Sequence, residues 1–156
     1  MARGIDVDGR GVKVTAEAVE SGVIDEGLPV TKNWETPTVA DDGSRSGDGH
    51  LTVDDDTGTY CVLDSGDPGY ITHTPPGEYK NIRYDFNSTS GNIHVDLVDE
   101  GVRVKENWNP NGSGWYEINL ETKTGGSILT TTSDYKVTVD DSTNKRVAET
   151  DVDTDV

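Results

Sequence analysis

Asn81-Ile-Arg-Tyr-Asp-Phe86 and, after a short polar break, Ile93-His-Val-Asp-Leu97 decide the fold. Ile82, Tyr84 and Phe86, then Ile93, Val95 and Leu97, fall on every second position, and charged or polar residues fill the gaps. A period of two puts alternate side chains on opposite faces of an extended chain, the pattern of a half-buried strand. The same beat runs through Tyr116, Ile118 and Leu120 and through Tyr135, Val137 and Val139. Eighteen glycines and a scarcity of helical patterns add many turns between short strands. The expectation is an all-β chain, with a jelly-roll-like antiparallel β-sandwich over residues 57–156, a size at which such sandwiches fold alone. Residues 1–56 alternate Val12, Val14, Ala16 and Ala18, then enter the Gly-rich acidic loop Asp41–Gly49. They are expected to form an N-terminal docking segment of short strands.

The chain carries 30 Asp and Glu against 13 Lys and Arg, a formal net charge of −17 on 156 residues. Self-repulsion of that size opposes a compact state in dilute buffer, and molar salt, with a Debye length of about 3 Å, screens it. The acids fall mostly on outward positions and turns, so the charge marks adaptation to brine rather than a disordered chain. A polyanion repels nucleic acid, and no basic stripe offsets that. No window approaches the roughly 18 apolar residues of a membrane-spanning helix, so no membrane partner is expected. Met1-Ala-Arg-Gly-Ile-Asp6 lacks an apolar stretch of signal-peptide length, which points to synthesis and assembly in the cytoplasm. With 31 % hydrophobic residues the core is meagre, and association into a homo-oligomer would enlarge it. Cys61, alone of its kind, excludes an intrachain disulfide and sits as a small buried hydrophobe in Thr59-Tyr-Cys-Val-Leu63.

Val102-Arg-Val-Lys-Glu-Asn-Trp108 and Trp115-Tyr-Glu-Ile-Asn-Leu-Glu121, joined by the turn formers Asn109-Pro-Asn-Gly-Ser-Gly114, suggest a hairpin. Pairing Trp108 with Trp115 would put Val102 and Val104 on the face of Glu117 and Glu121. A register shifted by one sets Trp108 opposite Tyr116 and Val104 opposite Leu120, which keeps the apolar sets together. Trp108 then faces the core and Trp115 stands at the loop tip. An indole there, beside Asn109, Asn111 and Tyr116, has two uses: it can stack on the C–H face of a sugar while amides bond the hydroxyls, or cover an edge or a subunit contact. Trp34 carries less information.

Catalytic and metal signatures are missing from the sequence. His50, His73 and His94 form no zinc-binding pair, and neither a nucleophile elbow nor a phosphate loop occurs. No enzyme activity, cofactor or metal is therefore expected. Asp6 to Glu17 matches part of a calcium-loop spacing, but Arg10 stands where an oxygen ligand belongs and Lys13 where an apolar residue does. Asp54-Asp-Asp56 and Asp140-Asp141 are expected to be turn acids on a solvated face. His94, between Ile93 and Val95, belongs to the polar side of a strand, and His73 is expected to be structural.

The Asp-heavy, Lys-poor composition resembles that of haloarchaeal proteins, and an acidic, Gly/Thr-rich β-chain of this length is similar to minor virion proteins of haloarchaeal tailed viruses. The order Gly114-Trp-Tyr-Glu-Ile-Asn-Leu120, then Tyr135-Lys-Val-Thr-Val-Asp-Asp141, then Lys145-Arg-Val-Ala-Glu-Thr150 is similar to the closing strands of concanavalin or laminin-G-like sandwiches. That likeness implies a jelly-roll used for glycan or protein contact and transfers no binding residue. Together they imply a non-enzymatic capsid decoration or turret protein in the virion of a halophilic host, partnered by its own copies and by other virion proteins. The alternatives are a tail structural protein, or a lectin-like module recognising host surface glycans through Trp115, Trp108, Tyr116, Asn109 and Asn111.

Overall fold

The computed structural model describes residues 31–44, 47–64, 69–87, 91–110, 112–120, 129–140 and 144–156. The chain divides into two compact units, Met1–Thr31 and Lys32–Val156. The docking-strand and calcium-loop expectations for residues 1–30 lie outside the described residues.

The second unit is a sandwich of two antiparallel sheets. Its strands are β1 (Trp34–Glu35), β2 (Thr38–Gly43), β3 (Cys61–Asp64), β4 (Tyr70–Thr74), β5 (Asn81–Phe86), β6 (Ile93–Leu97), β7 (Val102–Trp108), β8 (Gly114–Asn119), β9 (Tyr135–Val139) and β10 (Asn144–Asp153). One sheet runs β1-β10-β5-β8, with β3 also paired to β10; the other runs β2-β4-β9-β6-β7. The expected boundary at residue 57 is corrected. Trp34 pairs with Asp153 and Thr38 with Thr74, so β1, β2 and the 3₁₀ helix Gly49–Val53 belong to the sandwich, which starts at Lys32. These short strands carry charge along a sheet margin, where a second buried face is not needed and alternation fades.

The alternation of β5 and β6 is realised in facing sheets: Ile82, Tyr84, Phe86, Ile93, Val95 and Leu97 are all fully buried. Tyr135 of β9 lies at the centre. Its ring stacks on His73 at 5.4 Å and meets Tyr79 at 5.9 Å and the edge of Tyr84 at 6.0 Å. Because Thr150 Oγ1 donates its proton to Arg83 O, the Tyr135 hydroxyl donates to Thr150 Oγ1 at 2.9 Å and ties the two sheets through a polar relay. Cys61 is buried as expected, and desolvation pushes its thiol up to about 11, which leaves it inert.

The expected β7–β8 hairpin does not form. β7 pairs with β6 and β8 with β5, so the Asn109–Gly114 stretch crosses from one sheet to the other. The inward set is nevertheless the expected one: Trp108 and Tyr116 meet edge to face at 6.2 Å. Residues that would be cross-strand neighbours in a hairpin are equally neighbours when two sheets face each other about 10 Å apart, and periodicity cannot distinguish the two.

Candidate functional site

The outward face of the β1-β10-β5-β8 sheet collects the features that composition scattered. Register sets three rows across it: Trp34, Asp153, Asn81 and Asn119; then Asp151, Arg83 and Glu117; then Glu149, Asp85 and Trp115. Trp115, 39 % exposed, lies within β8 opposite Asp85, so its expected place at a loop tip is corrected to a sheet face. Arg83 reaches up between the indoles. Its guanidinium carbon stands 4.0 Å from the Trp115 ring centroid and 4.4 Å from that of Trp34, which the sequence reading passed over. Arg83 also donates to Asp151 Oδ2 from Nε at 3.1 Å and from Nη2 at 2.7 Å. Lys32 donates to Glu117 Oε1 at 2.8 Å and lies 5.9 Å from the Trp34 ring.

The other expected contact residues are not gathered around Trp115. Trp108 and Tyr116 point into the sandwich against Phe86, at 5.7 and 5.9 Å. Asn109 is exposed, and Asn111 lies outside the described residues. Beneath this crossing loop sits fully buried Lys145, whose Nζ donates to Pro110 O at 3.2 Å and to Asn109 Oδ1 at 3.5 Å, 5.4 Å over the Phe86 ring. Burial pulls its ammonium down to about 8. His94 faces the polar side of its sheet as expected, between Asp140 and Asp96, and Arg103 holds Asp96 at 2.8 Å.

A second cluster lies at the edge of the same face. Carboxylate oxygens of Asp55, Glu149 and Asp151 all lie within 4.8 Å of one another. The solvated-face reading of Asp54-Asp-Asp56 holds for the outer two. Asp54 accepts from Asp56 N–H and from Thr59 Oγ1, and Asp56 accepts from Gly58 N–H. Asp55, at a positive φ of 60°, turns back to β10, where its N–H donates to Glu149 Oε1 at 3.1 Å. Glu149 Oε2 is buried with no hydrogen-bond partner. Burial, then the nearby Asp151, Asp54 and Asp55 carboxylates, push the Glu149 acid up to about 8. An all-oxygen donor set with an orphaned buried oxygen fits a hard divalent cation such as calcium, held by Asp55, Glu149 and Asp151. Calcium added to chelator-treated protein is expected to stabilise it by about 2.7 kcal/mol at a hundredfold excess over the dissociation constant. Differential scanning calorimetry of wild type and Glu149→Gln checks this: the variant should show no calcium response, and a wild-type melting temperature indifferent to calcium would count against the site.

No protein-family model matches the chain, and no characterised protein matches it in sequence. Solved structures match in fold. A Clostridium perfringens carbohydrate-binding module, CpGH89CBM32-4, solved in complex with GlcNAc-α-1,4-galactose, superposes with a TM-score of 0.50 at 15 % identity, over 79 % of this chain and 90 % of that one. An F5/8 type C domain from Bacteroides fragilis gives 0.50 at 12 % identity, over 78 % and 96 %. The chain thus has the jelly-roll β-sandwich fold of carbohydrate-binding and F5/8 type C domains.

Proposed function

We propose that this chain is a non-catalytic glycan-binding module whose contact surface is the outward sheet face around Trp115. The observation that carries this reading is Trp115 itself. A large indole is 39 % exposed on a sheet face, in a row with Asp85 and two residues from Glu117. An aromatic plane packs against sugar C–H groups, and adjacent carboxylates and amides accept and donate to hydroxyls. The fold shared with a module solved with a bound disaccharide supports the same reading. The virion role expected from composition draws no support from these folds. Retention on an immobilised glycan array at molar salt tests the proposal. Wild type should bind at least one neutral glycan, and Trp115→Ala should weaken it by about tenfold, the loss of one stacking contact. Absence of binding by wild type across the array would sink the reading.

A further inference from the structure

We infer that the Trp115 face takes several consecutive units of a neutral polysaccharide, laid diagonally across the sheet toward Trp34, rather than a single terminal sugar; this rests on the glycan-binding reading above. Three observations carry it. The first is placement. Trp34 and Trp115 stand on β1 and β8, at opposite ends of the strand order β1-β10-β5-β8, yet both lean onto Arg83 between them. The guanidinium stands over both rings, 4.4 Å from one centroid and 4.0 Å from the other, and so brings the two indoles within one short stretch of the same face.

The second observation is shape. The rings rise from two strands of one sheet, with their supporting residues in three parallel rows, so the described residues lay them out as a track across the sheet. A terminal sugar gains from walls on several sides, and a chain gains from repeated platforms. The third is charge. Among the described residues, Arg83 is matched by Asp151 and Lys32 by Glu117, and the rows also carry Asp85, Asp153 and Glu149. With a net charge of −17 behind it, the face repels uronate or sulfate groups. Hydroxyl-rich neutral units meet carboxylate acceptors instead.

Isothermal titration of the whole chain at molar salt with mono- to hexasaccharides of neutral glucose, mannose and N-acetylglucosamine series, and with an oligogalacturonate, decides the matter. In at least one neutral series the affinity should climb by about tenfold with length, as a second stacking contact engages. Trp34→Ala should remove that climb, Trp34→Phe should keep it, and Trp115→Ala should weaken every length. Melting temperatures of the variants confirm that the sandwich stands. Affinity independent of length, a climb that survives Trp34→Ala, or preference for the oligogalacturonate would overturn the inference while the glycan-binding reading stands. Wild type that binds none of the neutral series would overturn both.

Discussion

Tyr135→Ala is expected to lose about 3–5 kcal/mol of unfolding free energy, a large share of the 5–15 kcal/mol that holds a typical domain together. The ring is fully buried and touches His73, Tyr79 and Tyr84, so its removal opens a cavity between the sheets that none of these aromatics can fill without leaving its own packing. Tyr135→Phe should cost only about 1 kcal/mol, because Thr150 Oγ1 keeps its bond to Arg83 O and only the phenol's donation is lost. Denaturant unfolding at one fixed molar salt concentration measures both. Similar costs for the two variants would mean that the hydroxyl relay, and not the packing, holds this centre.

Acidification should weaken the fold through His73, and Phe in its place should remove that weakness. Thr52 Oγ1 gives its proton to Gly49 O at 2.7 Å, so the contact at 2.8 Å must be His73 Nε2–H donating to Thr52 Oγ1. Nδ1 is then a buried lone pair with no partner. Burial drives the imidazole down to about 3, against a smaller opposing pull from the Asp42 carboxylate. The unfolded chain takes up a proton below about pH 6.5, and the folded ring refuses it until about pH 3. The contribution is therefore whole above pH 6.5 and is lost as the pH falls from there to about 3, to a total on the order of 4–5 kcal/mol. His73→Phe keeps a ring on Tyr135 and cannot titrate. Its stability relative to wild type should rise by about 1.4 kcal/mol for each pH unit below 6.5; parallel pH profiles would refute the assignment.

These two centres differ in how openly the sequence displays them. The β5 and β6 alternation exposes the core because each strand has one face in it and one toward polar surroundings. Tyr135, Val137 and Val139 follow the same rule. β10 breaks it. Val147 and Val152 both face the core although they are five positions apart, an odd offset that puts two residues on opposite faces of a regular strand, and a register shift between Val147 and Glu149 resolves the conflict. That bulge places Glu149, Asp151 and Asp153 together on the outward side, the step that builds the acidic cluster. The parity of Val147 and Val152 was the available signal. Trp34, Arg83 and Trp115 gave no comparable cue, since they come from three strands whose adjacency depends on pairings 28 or more residues apart in sequence. Lys145 was hidden for a different reason: a charged residue in an alternating run reads as outward, and the crossing loop, with Pro110 O and Asn109 Oδ1, helps make burial tolerable.

β10 also governs when this molecule can come into being. It is flanked by β5 on one side and by β3 and β1 on the other, so the sheet is completed by a strand that leaves the ribosome after every other described strand. Until then β5 and β3 have unpaired backbone edges, and the partners of Trp34 and Glu35 are still more than a hundred residues away along the chain. Contacts of that span make for slow closure. The nascent chain must therefore wait with its edges open, and its high negative charge then acts in a second capacity, as a repulsion that keeps neighbouring unfinished chains from zipping onto them.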